Sequence, residues 1–591
     1  MRAPETAVER RGGSFLLEEA APGGVFIPER LSEEQRLAAR TMREFLEREV
    51  LPQTKTLEEK DWALTRRLIR RLGDLGVLGA EIPEAYGGLG VDKITSLVVT
   101  EHLGPAASFA VSVGAHIGIG TLPIVFFGTE QQKRHYLPRL ASGELIGAYA
   151  LTEPTAGSDA MAIRTSATRT PDGSAYLLTG AKQFISNAAF ADLFVTYAKV
   201  GGEQHTAFIV DRATPGLTVG DEEHKMGIKG SSTASLFFEQ ARVPAENLLG
   251  EIGQGHKVAF NILNVGRFNL AAGALGAAKA AFRDAVAYAK ERRQFGKPLA
   301  DFGLIKQKLA QMAVRLYVSE SMVYRTGGLV DGALAGMHED ARAVMAALEE
   351  YAVECSINKV FVSETLDFVV DEMVQIYGGY GFIEEYPAAR AYRDARINRL
   401  FEGTNEINRL LITGMLLRRA QRGQLALIPA ARAVADDLLN PTVAGDGQVA
   451  GPVAAERQQV AMAKKATLFA AGAALQRHLS AMDEQQEILA WLADMVTEIF
   501  AMESAVLRAA ATSGAAAEEV LQVRLARAYL HEALPRVDGL ARQVLAASAE
   551  GEHLRTQLAG LRRFLRYTPL NAVTEWRAIA DRVSAAGRYP L

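Results

Sequence analysis

Tyr149-Ala-Leu-Thr-Glu-Pro-Thr-Ala-Gly-Ser-Asp159 divides the chain into two textures. Before it, apolar residues recur at helical spacing; after it come short strand-like runs separated by turns. Upstream, Ser32-Glu-Glu-Gln35 reads as a capping box that opens a helix whose Ala38, Met42, Phe45, Leu46 and Val50 share one face. Leu64, Leu68, Leu72 and Leu75 mark a second helix, ended by Gly76 and Gly79. Pro83 and Gly87-Gly88-Leu-Gly90 form a loop, and apolar helical segments then run to about residue 148. Ala110 to Gly128 carries no charged side chain, but its glycines and Pro123 favour a buried core helix over a membrane span. Downstream, Pro171-Asp-Gly173 and Thr214-Pro-Gly216 are turns among the strand-like runs Tyr176 to Ser186, Leu193 to Val200, Thr206 to Val210, Leu217 to Val219 and Ser235 to Phe238. That pattern predicts an all-β barrel or sandwich ending near Val243-Pro244.

The helical period returns from Asn261, with an Ala-rich helix from Ala271 to Arg292 stopped by Gly296 and Pro298. Helices continue to about Gln375, interrupted at Gly327-Gly328, and then comes Tyr377-Gly-Gly-Tyr-Gly381. Composition shifts near residue 420. Pro429 and the run from Asn440 to Pro452 read as a linker, and the chain is Ala/Leu/Arg-rich and helical from Ala454. The expected fold is mainly α with a central β domain, plus an extra C-terminal α-helical domain. In residue terms these are an irregular arm 1–30, a helical domain 31–148, the β-barrel or sandwich 149–258, a helical bundle 259–420, a linker 421–453 and the extra helical domain 454–591.

At 591 residues the chain is too long for one core. A net charge of −4 argues against a nucleic-acid binder. The single cysteine, Cys355, excludes a disulfide framework and points to a reducing compartment. The histidines are scattered without metal-ligand spacing, so no metal is expected. Glu5, Glu9, Glu18 and Glu19 set the N-terminus apart from secretory signals and transit peptides, and a cytoplasmic protein is expected.

Two stretches carry candidate chemistry. In Arg399-Leu-Phe-Glu-Gly-Thr-Asn-Glu-Ile-Asn-Arg409, Glu402 falls on a break between helices, where Gly403 lets the backbone turn and a ligand approach. With Phe401 beside it, Glu402 is a candidate general base with a raised pKa; a plain helix-terminus glutamate is the alternative. In the opening stretch, Thr152 and Ser158 offer hydroxyls and free backbone N–H groups on a loop shaped by Pro154 and Gly157. Such a loop cups a ring edge or a phosphate, or is simply a hydrogen-bonded surface turn. The chain has no G-x-G-x-x-G, so a nucleotide cofactor is not bound Rossmann-style.

Together with Lys182-Gln-Phe-Ile-Ser-Asn187, Glu291-Arg-Arg-Gln-Phe-Gly-Lys297 and Gln375-Ile-Tyr-Gly-Gly-Tyr-Gly-Phe382, these stretches make the chain resemble the acyl-CoA dehydrogenase flavoproteins over about residues 30–420. The resemblance implies FAD as cofactor and an electron-transferring flavoprotein as electron acceptor. It implies that Glu402 removes the α-proton of an acyl thioester while hydride passes to the flavin, giving a trans-2-enoyl-CoA. Flavin contacts are implied for Tyr149, Thr152, Ser158, Phe184 and Ser186, and for Thr404 and Glu406 closing the site. Arg292, Gln294 and Phe295, with Gln375, Gly378 and Gly379, are implied to reach the flavin's pyrophosphate and adenine half from a neighbouring subunit. On the substrate side the resemblance implies Ser158, Asn264, Arg267 and Gly403. Phe184 and Ser186 stand where many members have Trp and Thr, and Thr155 replaces a common Gly. Gly266 stands where isovaleryl and some long-chain members keep their base, which leaves Glu402 as the candidate.

The C-terminal module and Val113-Gly-Ala-His-Ile-Gly-Ile-Gly120 are similar to the very-long-chain type. That implies long-chain acyl-CoA substrates, a homodimer and contact with a membrane surface, the inner face being the expected one. Gly114, Ala115 and Gly118 suit a deep acyl tunnel or close helix packing. Two basic-apolar stretches are candidates for the membrane contact: Leu416-Leu-Arg-Arg-Ala-Gln-Arg422 with Leu425, Leu427 and Ile428, and Thr556 to Tyr567 with Leu558, Leu561 and Leu565. Other readings are a non-catalytic assembly protein of the same fold, or an acyl-CoA oxidase.

Overall fold

The computed structural model describes residues 11–439, 453–512 and 520–591. The first layer is helical: α1 Glu33–Phe45, α2 Thr54–Glu58, α3 Trp62–Asp74, α4 Lys93–Leu103, α5 Ser108–Gly114, α6 Leu122–Phe127 and α7 Glu130–Ala141. The capping box at Ser32 forms reciprocally: its side chain accepts from Gln35 N, and the Gln35 side chain accepts from Ser32 N. Ser108–Phe127 is long and apolar enough to span a membrane, but 67% of its apolar window lies inside the protein. A π-helical stretch, Ala115–Thr121, joins α5 to α6. There Gly120 packs directly on Gly147, since a Cβ on Gly120 would sit 2.7 Å from the Gly147 carbonyl carbon.

The strands are β1 Gly147–Ala150, β2 Ser166–Arg169, β3 Ala175–Ser186, β4 Leu193–Val200, β5 Gln204–Asp211, β6 Leu217–Glu222, β7 Thr233–Pro244 and β8 Leu248–Leu249. They form one eight-stranded sheet in the order β6-β7-β3-β2-β4-β5-β8, with β1 also on β4. Its two halves face each other over a shared core. The Tyr176 ring of β3 meets Phe208 of β5 at 5.2 Å, and Leu178, Phe194 and Phe238 are buried with them. The sheet is mixed: β1 and β2 both run parallel to β4. These two strands are four residues each, too short to show an alternating pattern.

Three helices dominate the second helical layer: α8 Gly255–Glu291, α9 Gly303–Leu334 and, after the short α10 Ala341–Glu350, α11 Ala352–Tyr377. Helices α12 Pro387–Ala395 and α13 Asn405–Gln421 follow. The expected interruption at Gly327-Gly328 does not occur, because α9 runs straight through it. A Cβ on Gly327 would lie 2.6 Å from Leu97 Cδ1 and 2.7 Å from Ile94 Cδ1, and one on Gly328 would strike Phe26. The pair serves close packing, which outweighs the roughly 1 kcal/mol that a glycine costs in a helix.

The C-terminal region adds α14 Leu427–Leu439, α15 Ala454–His478, α16 Gln486–Thr512, α17 Leu521–Ser548, α18 Gly551–Phe564 and α19 Ala572–Ala586. Part of the expected linker is therefore helix: α14 spans Pro429, which sits in its first turn where proline is tolerated. The run from Asn440 to Pro452 lies outside the described residues, as do residues 1–10 of the arm. The described part of the arm makes short 3-10 turns and docks on α16, with Phe15 edge-on to Phe500 at 4.9 Å. Tyr317 of α9 donates to Ala505 O of α16 at 2.9 Å, tying the extension to the body.

The two basic-apolar stretches pack their apolar residues inward. Leu416 and Leu425 are buried, and Arg419 pairs with Glu350 at 2.6 Å. Leu561 and Phe564 are buried, while Arg562, Arg563 and Arg566 face out.

Candidate active site

Glu402 sits on the turn between the 3-10 segment Arg396–Arg399 and α13. Glu402 and Gly403 both have positive φ, 57° and 78°. For a glutamate this conformation is strained, and such strain persists where surrounding contacts over-determine it. Those contacts are on the backbone. The Asn408 amide donates to the carbonyls of Glu402, Gly403 and Thr404 at 3.3, 2.9 and 3.0 Å. Arg267 Nε donates to Glu402 O at 3.2 Å, and Lys359 Nζ to Gly403 O at 2.7 Å. Thr404 caps α13, its hydroxyl accepting from Ile407 N at 3.3 Å.

With the turn held by its carbonyls, the carboxylate faces a cavity, and Oε2 is buried with no hydrogen-bond partner among the described residues. Burial raises the carboxyl to about 7, against the opposing pull of Arg267 and Lys359. A carboxylate poised near neutrality is suited to accept a proton. Space for it comes from Gly266 on α8, where a Cβ would lie 2.6 Å from Glu402 Cδ and closer still to Oε2. Gly266→Ala is expected to displace the carboxylate and lower turnover by roughly 100-fold, the scale of a 1 Å misplacement. An unchanged melting temperature together with unchanged turnover in that variant refutes this expectation.

The cavity holds about 290 Å³ and extends from Glu402 and Ser186 along one face of α8 through Gly266, Gly273 and Ala277 to Asp284. Gly114, Ala115 and Gly118 lie on its opposite wall.

The loop of the opening stretch is clamped from beneath. Glu153 accepts from Lys182 Nζ at 2.7 Å and Thr165 N at 3.0 Å, and Lys182 also donates to Leu151 O at 3.2 Å. Both side chains are buried. Lys182→Met strands the Glu153 charge and is expected to cost about 3–5 kcal/mol, read from the midpoint of urea unfolding. Above the clamp Thr152 is half-buried and Ser158 exposed. The β3–β7 register shifts between Lys182 and Ile185, and within that irregularity Phe184 adopts φ 59° and stands 58% exposed. Tyr149 packs edge-on to Tyr197 at 5.2 Å, with its hydroxyl buried.

Arg267 is 6% exposed, with Nη1 on Asn264 Oδ1 at 2.8 Å and Nε on the base turn. The guanidinium read as a substrate contact thus braces Glu402, and Asn264 in turn holds the guanidinium. Glu406 is exposed in the first turn of α13. The remaining candidates form a second group at the far end of α8. Arg292 lies over the Tyr380 ring at 5.6 Å, with Gln375, Gly378 and Gly379 exposed nearby. Phe295 and Gly296, with φ 49° and 82°, form the two-residue tip of the hairpin β9 Arg293–Gln294 and β10 Lys297–Pro298. Phe295 is 93% exposed. Along α8 this group is about 39 Å from Gly266 at 1.5 Å per residue.

Sequence reasoning missed Lys359, Asn408 and the Glu153–Lys182 clamp. The signal for Lys359 was weak, a lysine directly before the apolar run Val360-Phe-Val362; Asn408, Glu153 and Lys182 lay within stretches singled out for other residues.

Family models described as the N-terminal, middle and C-terminal domains of acyl-CoA dehydrogenase match residues 32–144, 148–241 and 253–417, and a further C-terminal-domain model matches 462–563. A probable acyl-CoA dehydrogenase of Bacillus subtilis is 48% identical over 100% of both chains. The very long-chain specific acyl-CoA dehydrogenase of Bos taurus is 42% identical over 62% of this chain and 57% of its own length. A Bacillus anthracis acyl-CoA dehydrogenase solved in complex with FAD superposes with a TM-score of 0.95 at 46% identity, covering 98% of this chain and 100% of that one. The chain belongs to the acyl-CoA dehydrogenase family. It is an oxidoreductase acting on CH–CH groups.

Proposed function

We propose that the protein dehydrogenates long-chain acyl-CoA thioesters to trans-2-enoyl-CoA, with Glu402 taking the α-proton. One observation carries this reading: the buried Glu402 carboxylate, raised to about 7, opens into the cavity opposite Gly266 with no partner on Oε2. An α-proton is too weakly acidic for a carboxylate unless charge on the thioester oxygen is stabilised, and the Glu402 backbone N–H supplies one donor to it. Arg267 and Lys359 fix that turn, so the donor and the base keep one geometry.

FAD is the cofactor and, when bound, supplies the hydride acceptor for the β-carbon. The residues suit it: Phe184 presents an exposed aromatic face beside Ser186, and Gly157, Gly378 and Gly379 have open space where a side chain would stand. Tyr149, Thr152 and Ser158 would hold the ring side, with Thr404 and Glu406 closing it. Arg292, Gln294, Phe295, Gln375 and the two glycines cluster beyond the far end of α8, too far to share a ligand with their own Glu402. They would serve the site of a second copy, which makes the protein a homodimer, and the exposed Phe295 tip supports that arrangement. An electron-transferring flavoprotein would reoxidise the enzyme.

Long-chain preference rests on the cavity's run from Gly266 to Asp284, about 27 Å of α8. Membrane contact through the stretches 416–428 and 556–567 would rely mainly on their arginines, because Leu416, Leu425, Leu561 and Phe564 are buried and Leu417, Leu427, Leu558 and Leu565 are partly buried against the core. The test of the main reading is the flavin spectrum of the purified protein under argon with acyl-CoAs of graded length. Bleaching that grows toward C16 supports it, and a flavin that no acyl-CoA bleaches refutes it.

A further inference from the structure

We propose that Lys359 is a positioning residue for the base: its buried ammonium holds the turn after Glu402 and places a fixed positive charge beside the residue that carries the carboxylate. The inference rests on the reading of Glu402 as base. Lys359 has no exposed surface, and its Nζ donates to Gly403 O at 2.7 Å and Asn405 Oδ1 at 2.8 Å. Both acceptors are neutral. A buried lysine ordinarily has a carboxylate partner because an unpaired buried charge is costly. Where only two neutral oxygens need a donor, an amide would do the same at lower cost. The charge therefore needs a beneficiary, and Glu402, one residue before the carbonyl that Lys359 binds, is the buried carboxylate it acts on.

The neighbouring charges leave that assignment intact. Glu402 is faced by Arg267 from α8, Lys359 from α11 and the Tyr149 hydroxyl from β1. Lys359 is faced, besides Glu402, by Arg267, by Glu364 on its own helix and by Glu406 on α13. Glu364 shares the Arg409 guanidinium of α13, 2.9 Å away, with Asp494 of α16, and its side chain is 37% exposed, so water screens its remaining charge. Glu406 is exposed, where water screens it. Glu364 also accepts from the Asn405 amide at 3.0 Å, which points Asn405 Oδ1 at Lys359 and locks the ammonium in place. Burial brings Lys359 itself down to about 7, against the opposing effect of Glu402, so its charge and that of the base depend on each other.

The experiment is the pH dependence of flavin bleaching by saturating acyl-CoA in the holoenzyme for Lys359→Met and Lys359→Gln. Removing the charge is expected to move the acid limb to higher pH by roughly one unit or more in both variants. Lys359→Gln keeps a donor for Gly403 O, so its melting temperature and KM are expected to stay nearer the parent's while its acid limb still moves. An acid limb unmoved in folded, flavin-loaded Lys359→Gln overturns the proposal, and so does failure of both variants to fold, which assigns the lysine to stability. Glu402→Gln separates the two readings. If it still bleaches, the base itself is misassigned; if it is inert while the Lys359→Gln limb is unmoved, this proposal falls alone.

Discussion

Glu402→Gln is expected to give a folded, yellow protein that binds acyl-CoA and leaves its flavin unbleached. The amide keeps the size and shape of the side chain, so it fits beside Gly266 as the carboxylate does. Oε2 has no hydrogen-bond partner among the described residues, so the exchange breaks no bond there. What is lost is the proton acceptor, a loss on the order of 10²–10⁴-fold in rate and more where no substitute stands by. Three other carboxylates line the cavity, and none is well placed to substitute. Glu81 is paired with Lys93 and accepts from Ser96 at 2.6 Å. Asp284 is at the far end. Asp394 is the nearest rival, raised to about 6 by burial, but it accepts from Ile228 N and so is held in the wall. Stopped-flow reduction of the Glu402→Gln and Asp394→Asn variants decides between them. Rapid reduction in the first and none in the second transfers the role to Asp394.

Gly114→Gln is expected to cut activity on C16 and longer acyl-CoAs by tenfold or more relative to C8. A Cβ at Gly114 meets nothing within 4 Å, so a side chain there grows into the lumen and not into a neighbour. Gly104, also on the cavity wall, is different: its Cβ would lie 2.9 Å from Ala277 N, and substitution there disturbs the α4–α8 packing itself. Overpacking usually costs ~1–3 kcal/mol, and only tails long enough to reach Gly114 encounter it. Equal losses at C8 and C16, with a lowered melting temperature, would show that Gly114 serves folding.

How much of this was legible depended on the range of the interaction. The Ser32 capping box, the break at Glu402-Gly403 and the five longer strand-like runs were readable, because each is written in residues a few positions apart. Gly327-Gly328 misled for the same reason. Its local meaning is a helix break, but its actual neighbours are Leu97, Ile94 and Phe26, more than 200 residues earlier in the chain. The linker assignment likewise weighed Pro429 locally, although the apolar face of α14 finds α15 to pack against.

The sequence alone therefore determined the helical–β–helical order, the family resemblance and the identity of the one candidate base, since those depend on local pattern and on motif. Only the tertiary structure decided the surroundings of that candidate: Gly266 giving the carboxylate room, Arg267 and Lys359 gripping its turn, and Arg292 standing at the far end of α8. Each joins residues far apart in the chain, 135 positions in the case of Arg267 and Glu402. Desolvation and charge pairing are properties of the packed interior, and no short stretch of sequence contains that interior.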